Sequence, residues 1–348
     1  MSVLLDTTLA VRTHADVAAE ARAAEAAGFA GIWTEETAHD PFLPLMLAAT
    51  ATERTSLGTA IAVAFARSPM ATAQAAWDLQ AASGGRFILG LGTQVRGHVE
   101  RRFGVPWSAP VPRLREYLLC LRAIFACWQH DAPPSFRGEH YQFTLMTPFF
   151  NPGPLAHPWP DARGEVKGVP IWIAGVNEHL CRLAGELCDG FHVHPLHSTN
   201  YLQDVTLPNI ERGARRTGRS LADIQRMSTA FVITGDTPDE LAHARAATRQ
   251  QIAFYASTPS YRPVLAIHGW GAIADELTAL SRQGEWQAMA DLITEEMLAA
   301  FTVEGPPGQI APFLRRKYAG LLDRVSMYLP YTSGEAYHRL AARIIGAA

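Results

Sequence analysis

The chain has 348 residues, of which 48% are hydrophobic and 18% charged, and 30 basic residues against 33 acidic ones give a net charge of −3. At about 150 residues per domain this length allows two ordinary domains or one large α/β barrel, and the apolar content excludes a disordered chain. The lack of a basic excess argues against a general nucleic-acid-binding surface. We also expect neither a signal peptide nor a membrane span, and a cytoplasmic location, because no basic start precedes a long apolar run.

The first part of the chain alternates short apolar runs with segments of helical periodicity. The runs predict strands over residues 3–5, 31–34, 56–63 and 87–91, and helices over residues 16–27, 41–51, 69–82 and 113–128. Gly28 follows the first helix, where a glycine is a typical C-cap. This alternation is typical of βαβ units in a parallel sheet.

The alternation then stops between residues 129 and 168, a proline-rich segment with many aromatic residues. A long aromatic insertion on a regular scaffold indicates a lid or pocket wall. The pattern resumes with strands predicted over residues 170–174, 190–193, 226–234 and 324–329, and helices over residues 178–187, 200–217, 238–255 and 312–322. A second, helical insertion is predicted at about residues 257–300.

Eight strands alternating with helices predict one (β/α)8 barrel, a TIM barrel with two insertions, over residues 1–348. A Rossmann fold is disfavoured because no Gly-x-Gly-x-x-Gly follows the first strand, and Gly90-Leu91-Gly92 lacks the third glycine. The cysteines, Cys120, Cys127, Cys181 and Cys188, form two pairs seven residues apart. That spacing places each pair on one helix face and predicts buried thiols rather than a zinc site or disulfides.

The active sites of such barrels lie at the carboxyl ends of the strands. The residues there are Asp6, Glu35, Glu36, His39, Phe65, Arg67, Thr93, Gln94, Arg96, His98, Gly175, Val176, Asn177, His192 and His194. Acids, bases and small residues on one rim are typical of a ligand pocket.

Several of these residues have two interpretations. Glu36 is either a pocket residue or a solvated loop carboxylate. The cluster Arg96, Arg101 and Arg102 is either a solvated helix face or a site for an anionic cofactor tail. Free amides at the helix start after Gly175-Val176-Asn177 would bind phosphate, although a plain βα turn has the same sequence features.

The two histidines of the sixth strand, His192 and His194, are candidates for a catalytic role or a place in the core. We expect strand alternation to direct one ring into the barrel and the other toward the outer helices. With no third ligand nearby, that arrangement argues against a metal site.

Hydrolytic chemistry is less well supported. Ser68 and Ser83 lack the Gly-x-Ser-x-Gly elbow of a serine hydrolase. A glycosidase would use Asp6 and Glu36 as its paired carboxylates and the aromatic insertion as a stacking surface, but nothing in the sequence fixes their separation.

Residues 23–36, 57–94, 170–194 and 320–330 resemble the luciferase-like flavin and deazaflavin oxidoreductases, and the Ser-Gly-Gly-Arg-Phe turn with its Gly-Leu-Gly is specific. Within that superfamily, ETAHDPFLP (residues 36–44) and MTPFFNPGP (residues 146–154) are similar to an actinobacterial branch expected to use coenzyme F420.

This resemblance implies a barrel that binds a flavin-like ring at its strand ends, and a homodimer or higher homo-oligomer. It implies a non-prolyl cis peptide bond between Ala60 and Ile61 that backs the ring. Thr93 and Gln94 match positions near the ring, and Gly175, Val176 and Asn177 match the phosphate turn. We assign three further strand-end residues to the cofactor: Asp6, Ala174 and His194.

The sequence also departs from the family pattern. Sugar-phosphate dehydrogenases of the family carry Asp-His after the second strand, where this chain has Glu36 and Thr37, and a glutamate after the fourth, where it has Val95. Sugar-phosphate oxidation is therefore disfavoured. On position alone, we assign the acid and base roles to Glu36, His39 and His98.

The expected function is hydride transfer between coenzyme F420 and a small, apolar organic substrate, with neither metal, membrane nor nucleic acid as a partner. The substrate face is predicted to comprise Phe65, Trp107, Phe149 and Phe150. An FMN-dependent monooxygenase of the same fold, and a non-catalytic cofactor-binding barrel, are the alternatives.

Overall fold

The computed structural model describes residues 2–9 and 13–346, and its centre is a closed barrel of eight parallel strands. Each strand pairs with the next along the chain, β8 pairs with β1, and the pairing of β4 with β5 completes the ring. The predicted (β/α)8 barrel is confirmed. The strands are β1 (Leu4–Thr8), β2 (Gly31–Thr34), β3 (Ser56–Thr59), β4 (Phe87–Gly92), β5 (Ile171–Gly175), β6 (Gly190–Val193), β7 (Gln225–Ile233) and β8 (Arg324–Tyr328).

Helices surround the barrel and join successive strands. The longer ones are Val17–Ala27, Phe42–Ala51, Pro69–Ala82, Pro110–His130, Glu178–Leu187, Leu207–Arg215, Pro307–Tyr318 and Gly334–Gly346. The first helix ends at Gly28 in the left-handed conformation, as the sequence predicts. Within the described residues, no helix combines the length and apolar character needed to cross a membrane.

Two indole rings, Trp33 from β2 and Trp172 from β5, fill the barrel interior with centroids 5.4 Å apart. Space for them comes from glycines: a Cβ on Gly58 would lie 2.3 Å from Trp33, and one on Gly190 would lie 2.3 Å from Trp172. Inward-facing side chains packed in layers are the usual core of such barrels. This plug forms the floor below the strand ends.

The inward side chain of Asp6 on β1 forms a buried ion pair with Arg324 on β8. Arg324 donates from Nε and Nη2 to the Asp6 carboxylate at 2.7 and 2.9 Å, and Trp33 Nε1 donates to it at 2.9 Å. Asp6 is 0% exposed and does not line the cavity at the strand ends. The prediction that Asp6 binds the cofactor is wrong, because its carboxylate is engaged inside the barrel.

The insertion over residues 129–168 runs along the outside of the barrel. It begins after helix Pro110–His130, and its later part packs near the start of β4, where His157 approaches Gly85 and Trp77 Nε1 donates to the Gly153 carbonyl at 3.2 Å. None of its residues lines the cavity at the strand ends. The prediction of a lid or pocket wall here is wrong, because a connection from a helix to a strand starts at the opposite end of the barrel.

The second insertion is a helical layer that includes the segment predicted at 257–300 but begins earlier. Its helices are Pro238–Ala256, Arg262–Ala266, Gly271–Gln283, Trp286–Asp291 and Glu295–Phe301. They share an apolar cluster that also contains Phe231 and Ile233 near the end of β7. The helix predicted after the seventh strand therefore belongs to this layer, and Pro307–Tyr318 precedes β8.

The predicted third strand, residues 56–63, is divided. β3 ends at Thr59, and Ala62–Val63 pairs separately with the end of β4. Between them, the peptide bond from Ala60 to Ile61 is cis, as the resemblance implies. The four cysteines are free and buried, in agreement with the prediction of core thiols.

Candidate functional site

A cavity of about 600 Å³ opens at the carboxyl ends of the strands. Its size is in the range of small-molecule and cofactor sites. Most of the residues predicted to bind the cofactor line it: Ala60, Ile61, Thr93, Gln94, Ala174, Gly175, Val176, Asn177 and His194. The structure thus brings together residues from β3, β4, β5 and β6 at one site.

One side of the cavity is formed by the cis peptide bond and the end of β4. A Cβ on Gly92 would lie 2.6 Å from Ile61 Cδ1, so the glycine allows the two segments to meet. Gln94 has a left-handed backbone with φ of 58°, and its Oε1 accepts a hydrogen bond from the Val95 amide at 2.9 Å. The turn holds Thr93 and Gln94 against the cavity.

The opposite side contains the turn into helix Glu178–Leu187. Asn177 Oδ1 accepts a hydrogen bond from the Leu180 amide at 3.0 Å and caps the helix. The amides before Leu180 have no partner within the helix, which is the general basis of anion binding at helix starts. Arg182 donates to Glu178, so this acidic side chain has a partner of its own.

His192 on β6 and His194, which directly follows that strand, both line the cavity. Residues i and i+2 of a strand point to the same side, so the expectation of opposite faces is wrong. His192 lies between Trp33 and Trp172, with its Nε2 buried and without a hydrogen-bond partner among the described residues. Burial lowers the pKa of His192 to about 3, and both rings are neutral at pH 7 because burial also lowers that of His194 to about 3.

His194 has a fixed orientation at the cavity wall. The Leu196 amide donates to its Nδ1 at 3.1 Å, and its ring stacks on Tyr261 with centroids 4.2 Å apart. Because Nδ1 accepts, the neutral ring carries its proton on Nε2. His194 can therefore donate one hydrogen bond to a bound group. No carboxylate or cysteine in the described part of the chain joins it in a metal-ligand cluster.

Glu36, predicted to be an acid or base, lines the cavity but is already paired. Its Oε2 accepts from Arg67 Nη1 at 2.6 Å and from the Val63 amide at 2.7 Å, and Arg67 also donates to Asp40 at 2.7 Å. The Glu36 amide donates to the carbonyl of Ile61 at 3.2 Å. These contacts tie the β2 loop to the cis segment and make Glu36 a positioning residue rather than a proton donor.

The other two predicted catalytic residues lie away from this cavity. His98 is exposed on the short helix Arg96–Arg101, and His39 lies in the wall of a smaller neighbouring cavity. Among the three clustered arginines, Arg96 reaches the rim of the main cavity and pairs with Glu100 at 3.0 Å. The structure does not place His98 with the other site residues.

One of the four aromatic residues predicted to face the substrate lines the cavity. Trp107 is in its wall, and Phe65 packs behind Trp107 with centroids 6.5 Å apart and is buried. Phe149 and Phe150 are 89% and 69% exposed on the outer insertion. The prediction that these two line the site is wrong, because their segment passes outside the barrel.

The structure adds site residues that the sequence interpretation missed. The helical layer contributes Tyr255, Ser260 and Tyr261 to the cavity wall, and β7 contributes Thr229. Glu35, which the sequence placed among the strand-end residues without a role, also lines the cavity. The position of Glu35 agrees with strand periodicity, because it follows the inward-facing Trp33 by two residues and is thereby directed to the barrel mouth. The tyrosines had no such local signal.

Glu35 has the most unusual environment of these residues. Its carboxyl has no hydrogen-bond or ion-pair partner among residues 2–9 and 13–346, and it is accessible to solvent from within the cavity while protein surrounds it. This burial raises the pKa of Glu35 above its usual value. A carboxyl group with these properties is suited to proton transfer.

Known proteins with similar sequences and structures agree with this architecture. An uncharacterized protein of Mycobacterium tuberculosis is 49% identical over 311 residues, covering 88% of this chain and 89% of the relative. A second M. tuberculosis relative, provisionally named a coenzyme F420-dependent oxidoreductase, is 30% identical over 308 residues, or 84% of each chain.

Among solved structures, the coenzyme F420-dependent tetrahydromethanopterin reductase from Methanopyrus kandleri superposes with a TM-score of 0.75. It is 21% identical, and the match covers 99% of this chain and 98% of that one, which shows a common fold. The family described as luciferase-like monooxygenase matches residues 4–324, nearly the whole barrel. The chain therefore belongs to the luciferase-like monooxygenase family.

Proposed function

We propose that this protein is an oxidoreductase that transfers a hydride between coenzyme F420 and a small organic molecule. The observation that carries the proposal is the main cavity, where the cis segment, the β4 turn and the helix start after β5 surround one space of about 600 Å³. The relative named as F420-dependent, 30% identical over 84% of the chain, supports the choice of cofactor.

The residues present fit a planar ring with an anionic tail. The ring would lie against Ala60 and Ile61, and the same cavity is lined by His192, whose buried Nε2 has no hydrogen-bond partner among the described residues. The tail phosphate would accept hydrogen bonds from amides at the start of helix Glu178–Leu187. When bound, the deazaflavin supplies the hydride-transfer chemistry.

The chain's own contribution is binding, orientation and exclusion of water. His194 presents its Nε2 proton from a ring fixed by Leu196 and Tyr261. Trp107 and Tyr261 add apolar surface to the walls. Such a partly apolar wall fits a small organic substrate better than a highly charged one. A cytoplasmic location and a homodimeric state remain part of the proposal.

The test is a titration of the purified protein with F420 and, separately, with FMN, followed by quenching of its tryptophan fluorescence. Because Trp107 lines the cavity, a cofactor bound there should quench its fluorescence. We expect saturable binding of F420 and weaker binding of FMN. Reduced F420 should then be oxidised anaerobically by members of a substrate panel. A preference for FMN with oxygen uptake would favour the FMN-dependent monooxygenase, and binding of neither would refute both redox functions.

A variant of the phosphate turn makes this test specific. In Gly175→Ala the new Cβ would lie 2.6 Å from Leu180 Cβ, so the turn must shift. We expect F420 affinity to fall about tenfold, the effect of losing roughly one charge-assisted hydrogen bond. The matched control is Gly271→Ala, a glycine-to-alanine change in the helical layer away from the cavity. Equal affinity of the two variants would contradict the assignment of the turn.

A further inference from the structure

A second cavity of about 290 Å³ adjoins the main one at the carboxyl ends of β1, β2 and β8. Glu35 and Thr229 belong to the walls of both cavities. The remaining wall includes Thr8, His39, Met327, Leu329, Thr332 and Tyr337. Two spaces that share a wall offer room for two molecules that react with each other.

Glu35 lies in the wall that the main cavity and the second cavity share. It continues the inward face of β2 above Trp33, and its carboxyl has no partner in the described part of the chain. The neighbouring carboxylate, Glu36, is held by Arg67 and the Val63 amide. The two adjacent glutamates therefore have different roles: one is fixed in an ion pair and the other is available to a ligand.

Within residues 2–9 and 13–346, few charged groups lie near Glu35. Its own loop carries His39 and Asp40, and Asp40 is paired with Arg67. The described titratable groups near it on other elements are phenols and a neutral imidazole: Tyr255 of the helical layer, Tyr328 of β8, Tyr337 of the last helix and, in the wall of the main cavity, His194 just after β6. Burial raises the pKa of Glu35, and no cationic partner lies beside it among the described residues, so the protonated acid is favoured.

We propose that the second cavity receives the substrate, a small aldehyde or ketone, and that Glu35 is the acid that protonates its carbonyl oxygen. This inference rests on the proposed function, which places the hydride donor in the main cavity. The Glu35 carboxyl lies at the wall that both cavities share, so it can reach a carbonyl group positioned between them.

The step balances with reduced F420 as the reductant. A hydride carries two electrons to the carbonyl carbon, the C=O π bond becomes the new O–H bond with the proton of Glu35, and the product is an alcohol. After hydride loss the cofactor would release one proton to become oxidised F420, and the Glu35 carboxylate would regain one proton through the open cavity. The sum is reduced F420 plus carbonyl compound giving oxidised F420 plus alcohol. In the reverse direction, the carboxylate accepts the alcohol proton.

The size and lining of the second cavity limit the substrate. At about 290 Å³ the second cavity has about half the volume of the main one, at about 600 Å³. Met327 and Leu329 provide apolar contacts, while Thr8 and Thr332 provide hydroxyl groups. A small, mainly apolar carbonyl compound fits these walls.

The first experiment detects the acid without turnover. Infrared spectra of the cofactor-free protein, recorded as the pH is lowered, should show the C=O stretch of a protonated carboxylic acid appearing at a pH above 4.5, the ordinary pKa of a glutamate. We expect the band to disappear in Glu35→Gln and to remain in the control Asp78→Asn, which replaces an exposed carboxylate on helix Pro69–Ala82. A band that persists in Glu35→Gln, or none in the wild type, would overturn the assignment.

The second experiment separates this inference from the proposed function. With reduced F420 and a panel of small aldehydes and ketones, Glu35→Gln should lower kcat by about 10²–10⁴-fold, the range of general acid catalysis, while the F420 dissociation constant stays within about twofold. Wild-type kcat/KM for reduction should fall as pH rises through the pKa of Glu35, and the variant should lack that limb. Full activity of the variant would refute the role of Glu35.

A third variant tests the cavity itself. Thr332→Trp places a large side chain in the second cavity and leaves the walls of the main one unchanged. We expect KM for the carbonyl substrate to rise at least about tenfold with unchanged F420 affinity. If F420 binds but no carbonyl compound is reduced, the substrate class is wrong and the proposed cofactor stands. If F420 does not bind at all, the proposed function itself fails.

Discussion

The buried ion pair inside the barrel provides a direct test of how the structure reassigns Asp6. In the wild type its carboxylate accepts two hydrogen bonds from Arg324 and one from Trp33. Asp6→Asn removes the negative charge with little change in shape. Arg324→Met removes the positive charge instead. The double variant removes both charges and still leaves an amide oxygen to accept the Trp33 N–H.

The magnitude follows from burial. The side chains of Asp6 and Arg324 are 0% and 6% exposed, and breaking a buried pair by removing one partner costs about 3–5 kcal/mol because the other charge remains buried. Each single variant should lose that much free energy of unfolding. The double variant should lose less than either single one, because no uncompensated charge remains in the barrel.

The assay is urea denaturation followed by tryptophan fluorescence and circular dichroism, with equal m-values required for comparison. The F420 dissociation constant, measured where each variant is folded, should change by less than about twofold, because Asp6 does not line the cavity. Single-variant losses below about 1 kcal/mol, or losses that simply add in the double variant, would refute the reasoning. A large loss of F420 affinity with normal stability would restore the cofactor role.

Three further predictions concern groups with fixed partners. Glu36→Gln should raise KM several-fold and keep kcat within about threefold, because Glu36 positions the β2 loop through Arg67. Steady-state kinetics test this, and a kcat loss as large as that of Glu35→Gln would contradict it. Glu25 accepts hydrogen bonds from the amides of residues 53–55, which lower its pKa from 4.5 to about 2 although burial opposes them. Since the pKa of Glu25 is lower in the folded state, the stabilisation by its carboxylate is present above pH 4.5 and is lost toward pH 2. The free energies of unfolding of the wild type and Glu25→Gln should therefore converge in that range. A difference in free energy that stays constant with pH would exclude the linkage. NMR titration should find His194 neutral down to about pH 4, because burial lowers its pKa to about 3; protonation near pH 6 would show that the ring is more solvated than this structure has it.

The barrel and much of its rim are determined by the sequence itself. Alternating apolar runs and amphipathic helices specify the βα units, since each pattern is a local consequence of strand and helix geometry. The start of helix Glu178–Leu187 is also local: Asn177, a residue of the cavity wall, caps the helix. The cis bond at Ala60–Ile61 was recognisable only through the family resemblance.

The division of roles between Glu35 and Glu36 was decided by the tertiary structure. Adjacent residues in a strand point to opposite sides, and local sequence does not reveal what lies on either side. Arg67 is 31 residues from Glu36 in the chain, yet it forms an ion pair with that carboxylate, which is therefore not a free acid. Likewise, the sequence showed the Asp6 carboxylate at the end of the predicted first strand, but it did not show that Arg324 forms an ion pair with it.

The same reason explains the two insertions. Their composition predicted which segments are irregular, but the end of the barrel at which each begins depends on the closed ring of strands. Phe149 and Phe150 are therefore outside, while Tyr255 and Tyr261 form the cavity wall. Periodicity in the sequence determined the elements and the side each residue faces. Contacts between distant residues, such as Asp6 and Arg324 at 318 positions apart, were decided only when the barrel closed.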